Sequence, residues 1–497
     1  MSSASSAWMD RAPVDLRLLP GALVTWVGCW WVLGQQPLAG AVLSGLLLLM
    51  SLLCGVRLSR SRPGRHRRER RDRVTATVLL TGVVAGSVLG VATVRATERS
   101  AVITGHPAEV TAIVQPTAEP QRLASERSER YRVPARLFGV LHDAERARDL
   151  PVLLLTDAGW RDVPVGTTWW VRARVVPTGA GDSAAALLVV TAGAHQHGPA
   201  AWHHRAVNRL RSGLVSVSDG LAPQARGLVP GIALGDTRAM PPVLGEDLRT
   251  VSLTHITAVS GMHVAIVLGS VVLCLWWAPV WVRAGVGGVV LLGFVALVYP
   301  SGSVLRAGTM GAVLLLGLAT GRPRASIPAL LATVIVLLGL DPWLSRDFGF
   351  TLSVVATSGL LALAAPIARR LGGVCPPQVA MAAAVPAAAQ LVCAPVILFL
   401  APGLPTHGVL ANVLATPAVP PATLLGVLAT LCQPFWPAGA QSLAQAAAWF
   451  TAWIATVATT TAGLPLATLP WPEGTGGAVL VSAGLLAATL WWRTRGR

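Results

Sequence analysis

Apolar residues fill unbroken runs along much of this chain and alternate with polar ones in the remainder. Three runs open it, at about 18–34, 37–56 and 74–94. Nine more follow, near 257–276, 285–300, 304–320, 326–340, 348–366, 378–400, 407–431, 441–462 and 477–492. Each is roughly 16 to 25 residues, long enough to cross a ~30 Å hydrocarbon core. Several, notably within 378–431, are short or rich in Pro and Gly and are candidates for broken or re-entrant helices.

Between about 95 and 200 the period changes to two. "AEVTAIVQP", "RYRVPARLFGVL", "LPVLLLTDAG", "TTWWVRARVV" and "AALLVVTAG" are short β-type runs separated by Pro, Gly and polar turns. Five strands in this length fit a small β-barrel of OB type, and equally a small sandwich. Next, "AAWHHRAVNRLRSGLVSVS" spaces Val207, Leu210, Leu214 and Val217 on one helical face. The pattern predicts a basic amphipathic helix on the membrane surface. The expected organisation is an N-terminal membrane region (1–94), an external β domain (95–199), an amphipathic helix and connector (200–252) and a helical channel domain (253–497).

Composition agrees with a polytopic α-helical membrane protein. The 497 residues are 53% hydrophobic and 12% charged, with mean hydropathy +0.61, whereas soluble domains are about a quarter charged. The net charge of +17 is carried by arginine, for the chain has no lysine. Loop 57–73, "RLSRSRPGRHRRERRDR", sets nine arginines against two acids and is cytoplasmic by the positive-inside rule. It reads as a solvated, lipid-facing loop, with direct nucleic-acid contact as the sharper alternative. Alternation from there puts the β domain outside. It puts Arg283, Arg322, Arg324, Arg369, Arg370, the tail "RTRGR" and both termini inside. About twelve spans satisfy every basic loop. Cysteines are absent between Cys54 and Cys274, so the β domain has no disulfide of its own. The first run lacks a cleavage site and is not read as a cleaved signal.

Polar residues at membrane depth cost on the order of 2.5–3.5 kcal/mol when charged, and so face a cavity or a partner. Only three acids follow residue 256: Asp341, Asp347 and Glu473. Arg306 and Asp347 each enter a span just after a turn, and are expected to line a polar path, to pair with each other, or to reach the interface. Gln390, His407 and Asn412 are further polar points. His255, Ser260, Gly261 and His263, in "LTHITAVSGMHVAIVLG", stand where a loop becomes a span. Three readings compete: a serine nucleophile with a histidine base, a metal held by two histidines, and a structural or path-lining role. The last is favoured, with Gly261 allowing close packing or a helix break. Doubled tryptophans at 30–31, 276–277 and 491–492 read as interfacial anchors. In the β domain, Trp169, Trp170, Arg172 and Arg174 are candidates to stack on bases and meet phosphates.

The ordered segments "LGD" (234–236), "THITAVSGMHVAI" (254–266), "SGSVLRAGTMGAVLLL" (301–316), "DPWLSRDFGFTLSVVAT" (341–357) and "AAQLVCAPVILFL…GVLANVLATP" (388–417) resemble the ComEC competence protein family. The resemblance covers most of 230–420. It implies an OB fold for the β domain. It also implies a channel in the cytoplasmic membrane, passing single-stranded DNA inward during natural transformation. The implied partners are single-stranded DNA, membrane lipids and a DNA-receptor competence protein. Long members of the family carry a C-terminal metallo-β-lactamase-like domain, whose clustered ligands have no counterpart here. The one His-x-His, "HQH" at 195–197, precedes Gly-Pro. No nuclease is therefore expected in this chain, and strand degradation falls to a separate nuclease. There is no G-x-x-x-x-G-K-[ST], so energy is expected from a gradient or a cytoplasmic ATPase or helicase. No cofactor is expected. The alternatives are a transporter or exporter of another polyanionic or lipid-linked substrate, and an intramembrane hydrolase.

Overall fold

A computed structural model describes residues 16–494 except 36, 60–65, 104–108, 124–128, 141–148, 180, 300–301, 321–325, 401–402 and 473. Part of the basic loop 57–73, together with Arg322, Arg324, Glu473 and residues 495–497, lies outside the described residues.

All five expected strands form. They are β1 (Glu109–Pro116), β3 (Arg130–Val140), β4 (Leu150–Thr156), β5 (Thr168–Pro177) and β6 (Ala186–Gly198), with a short β2 (Gln121–Leu123) paired on β3. The sheet runs β1-β5-β6-β4-β3 and closes through a β1–β3 pairing. The β4–β6 pair is parallel and the other ladders are antiparallel. This closed five-stranded barrel is OB-like. Alternation drives it: every second residue of β1 is buried, and Val110, Ala112, Val114, Val133, Leu154, Val171 and Leu188 fill the interior.

Before the barrel stand α1 (Leu19–Val32), α2 (Pro37–Ser59) and α3 (His66–Ile103). After it come α4 (Trp202–Ser218), α5 (Pro223–Leu234), α6 (Pro242–Thr250), α7 (Thr254–Thr257), α8 (Gly261–Cys274) and α9 (Val280–Leu297). Next are α10 (Gly302–Ala319), α11 (Ser326–Leu340), α12 (Phe348–Gly359), α13 (Ala365–Leu371) and α14 (Pro377–Ile397). The series ends with α15 (Gly408–Ala415), α16 (Val419–Cys432), α17 (Pro437–Ala462) and α18 (Gly474–Thr494). Among the described residues, six helical stretches are long and apolar enough to cross a membrane: Leu38–Arg57, Val74–Arg99, Val280–Leu297, Phe348–Leu371, Pro377–Ile397 and Gly408–Cys432. Shorter apolar helices occupy Leu19–Val32, Gly261–Cys274, Ser303–Ala319, Ile327–Leu340 and Gly474–Leu485. The Pro-rich region is irregular as its sequence indicates. Pro386 and Pro395 sit inside α14, and a 3-10 turn at Thr416–Ala418 separates α15 from α16.

The amphipathic helix departs from its expected place. Leu214 of α4 is fully buried, and Leu210 and Val217 pack with it against α5, α16 and α17. Protein therefore covers the face that was expected to meet lipid. The start of α4 presses on the β4–β5 loop. Gly166 there has φ +82, and a Cβ would stand 2.5 Å from His204.

The barrel touches the helices at a second place. Arg99, near the end of α3, donates to the carbonyl oxygens of Asp182 and Ser183 in the β5–β6 loop at 2.7 and 3.4 Å. Its guanidinium lies 4.7 Å from the Trp343 ring centroid. Arg346 packs on Gly181 of the same loop and donates to the Trp30 carbonyl at 2.6 and 3.0 Å.

Candidate functional site

On the barrel exterior, β5 presents Trp170, Arg172 and Arg174 in one row. They lie across from Ile113, Thr111 and Glu109 of β1. Trp170 donates to His197 Nδ1 at 2.7 Å and meets that ring edge-on at 5.3 Å, which fixes its plane. Arg172 and Arg174 are exposed. Trp169 belongs elsewhere: its neighbours on a strand point to the other face. It packs against Trp160 at 5.3 Å at the edge of the barrel core, and its Nε1 donates to Thr167 Oγ1 at 2.8 Å. Of the four candidates here, three share an outer strip and Trp169 is structural. Exposed Phe138 and Arg136, on β3 beside β1, extend the same wall. The sequence reading overlooked them, although their alternation in "RYRVPARLFGV" carries the signal.

A buried ionic junction joins barrel to helices, and the sequence reading did not assemble it. Arg211 of α4 donates from Nε and Nη2 to Glu119 Oε1 at 3.0 and 2.8 Å, and from Nη1 to the carbonyl oxygens of Leu234 and Leu297 at 3.0 and 2.9 Å. Its guanidinium stacks 4.5 Å from the Tyr299 centroid. Arg238 grips Asp236 bidentately at 3.0 and 2.7 Å and reaches Glu119 at 3.3 Å. Asn208 donates to the Val165 carbonyl at 2.9 Å and accepts from Tyr299. Burial, opposed by the charge of Arg211, holds the Glu119 carboxyl above its usual range. Burial also works to raise Asp236, but the hydrogen bonds and charge of Arg238 outweigh it and hold that carboxyl below its usual range. Asp236 is the last residue of "LGD" and Arg238 lies two positions beyond it; the sequence singled out that segment without assigning a role.

In the helical part, α8 opens with a reciprocal cap. Ser260 N–H donates to His263 Nδ1 at 3.2 Å, and Ser260 Oγ lies 3.3 Å from the same nitrogen. An Nδ1 that accepts a backbone N–H leaves the ring proton on Nε2. That Nε2 is buried without a hydrogen-bond partner. His255 Nδ1 bonds the Ser252 carbonyl at 2.9 Å. Gly261 begins the helix with open space where a Cβ would stand, so the close packing expected of it is not its role.

Arg306 of α10 is 1% exposed, which rules out a side chain reaching for the interface. Its Nη2 meets Ser303 Oγ at 3.0 Å and its guanidinium lies 5.8 Å from the Phe350 centroid, while Nη1 has no partner. Asp347 caps α12, accepting from Phe350 N–H at 2.5 Å. The two charges thus converge on Phe350 without an ion pair between them. A third group surrounds the start of α15. Gln390 donates to the Pro405 carbonyl at 2.5 Å, and its Oε1 lies 3.0 Å from the Cβ position of Gly408. Asn412 donates to the Gly408 carbonyl at 2.8 Å, and His407 Nδ1 is buried without a partner. Among the described residues, no three His, Cys, Asp or Glu side chains converge in a manner that could hold a metal ion.

Comparison with known proteins is concordant. A family model described as "Competence protein" matches residues 232–496. Competence protein ComA of Neisseria gonorrhoeae is 28% identical over 135 residues, covering 23% of this chain and 19% of that relative. The chain therefore matches well under two thirds of the relative's length. No solved structure matches.

Proposed function

The chain belongs to the competence protein family, and from that premise we propose that it conducts single-stranded DNA across the cytoplasmic membrane during natural transformation. One observation carries the reading. Among the described residues, the buried side-chain nitrogens left without a hydrogen-bond partner are His263 Nε2, Arg306 Nη1 and His407 Nδ1. Each stands in a polar segment of the helical part. Buried polar groups are almost always paired, so unpaired ones at membrane depth mark a functional path. The strand is a polyanion, and the segment after residue 256 offers it arginine and imidazole with only three acids.

In this reading the barrel faces outward, where Trp170 stacks on a base while Arg172 and Arg174 meet phosphates. A DNA-receptor competence protein delivers the strand to that wall, and about twelve helices carry it inward. His255, Ser260, His263, Arg306, Asp347, Gln390 and Asn412 border the route. Strand cleavage and energy come from other proteins or from a gradient.

The test is uptake of labelled DNA into a DNase-resistant cytoplasmic pool, in cells with and without this gene. Uptake that depends on the gene supports conduction. Equal uptake in both, with loss of another exported polyanion, moves the reading to that substrate.

A further inference from the structure

We infer that Arg306 is the centre of an anion-binding site between α10 and α12, built for a phosphodiester group. The inference deepens the conduction reading, and rests on it only for the source of the ligand.

A guanidinium carries five N–H donors and accepts nothing. Removed from water, its charge needs an anion and its donors need acceptors. Arg306 is 1% exposed, yet Nη1 has no partner and Nη2 has only the Ser303 hydroxyl at 3.0 Å. Asp347 acts on the guanidinium through space but makes no ion pair with it, since its Oδ1 accepts the Phe350 N–H at 2.5 Å and caps α12. The Phe350 ring at 5.8 Å supplies a cation–π contact, which places the charge without neutralising it. The site therefore holds a buried guanidinium with unspent donors and no direct ion-pair partner.

Its other features fit an oxyanion. Ser303 accepts from Arg306, so its own O–H is free to donate. Both residues lie near the start of α10, an 18-residue helix whose N-terminal end favours negative charge. A phosphodiester has one negative charge, matching one guanidinium. Its two non-bridging oxygens fit the planar fork, which an ammonium cannot reproduce. The strand backbone and a phospholipid headgroup both carry this group.

The experiment uses the purified full-length chain in detergent and follows its melting temperature. The probe is dimethyl phosphate, compared with sodium chloride at equal ionic strength. Wild type should melt a few degrees higher with dimethyl phosphate, as any ligand of the native state requires. Arg306→Gln should lose that rise and Arg306→Lys should keep part of it. Ser303→Ala, which retains the cation, should at least halve it, and it carries the test if Arg306→Gln does not fold. Two further arms identify the source. A rise with a short oligothymidylate that Arg306→Gln loses assigns the strand, and a rise given only by short-chain phosphatidylglycerol assigns the lipid. No rise in wild type, or equal rises in wild type and the variants, would overturn the site. Binding that survives in a protein whose gene proves irrelevant to DNA uptake would leave the site standing and remove conduction.

Discussion

Two adjacent tryptophans with the same side chain meet opposite fates, because successive strand residues face opposite sides. Trp170 lies on the outer wall against the edge of His197, whereas Trp169 is packed against Trp160. Trp170→Ala in the full-length protein should weaken single-stranded DNA binding by about 1–3 kcal/mol, the usual worth of one stacked base. Trp169→Ala should instead lower the melting temperature and leave affinity nearly intact. Fluorescence titration and a thermal melt on both variants separate the roles, and equal loss of affinity in both would contradict them. The pair was legible as a candidate in the sequence, and alternation divides it, since Trp170 is in phase with Arg172 and Arg174 and Trp169 with Val171 and Ala173. What alternation cannot supply is Trp160 as the partner of Trp169.

At the scale of elements, local pattern was readable and distant pairing was not. The five strands follow from their alternation, and the apolar helices from their length. The burial of α4 does not, because its partners are remote. Glu119 and Arg211 are 92 positions apart and meet only in the folded chain. Breaking this pair strands a charge out of water, so Arg211→Ala should cost about 3–5 kcal/mol, measured by denaturant unfolding. Asp236 gives the junction a pH signature. Its folded pKa lies below the ordinary 3.8, so the unfolded chain binds its proton more readily. Its contribution is full above that value and is lost as pH falls through the lower folded value. The stability gap between wild type and Asp236→Asn should therefore be constant near neutrality and shrink below about pH 3.8. A gap that widens on acidification would reverse the assignment.

Over the whole molecule, several of the loops that alternation places on one side touch, although Leu297 also packs with Ala444 and Ala447 and Gly213 meets Gln433. The Leu297 carbonyl meets Arg211, Trp343 and Arg346 meet the β5–β6 loop, and Leu404–Pro405 pairs with Thr468–Leu469. On the proposed topology, a membrane-impermeant thiol reagent on intact cells should label Arg172→Cys and spare Arg283→Cys. The reverse pattern would invert the protein. Arg306→Ala should abolish transformation at near-normal protein abundance, and normal transformation would remove Arg306 from the path. Purified protein supplied with Mg²⁺, Mn²⁺ or Zn²⁺ should leave DNA uncut, and cleavage lost with His263→Ala would make the α8 cap catalytic. One mechanical consequence remains in the way the barrel is fastened. A single tether would be a swivel. Two anchorages, Glu119 on Arg211 and the 181–183 loop on Arg99 and Arg346, resist torque. On the proposed reading, a strand held by Trp170 and drawn from within would be unable to spin the barrel to relieve tension. Such a pull would pass through Arg211 to the ends of α5 and α9, whose carbonyls it holds.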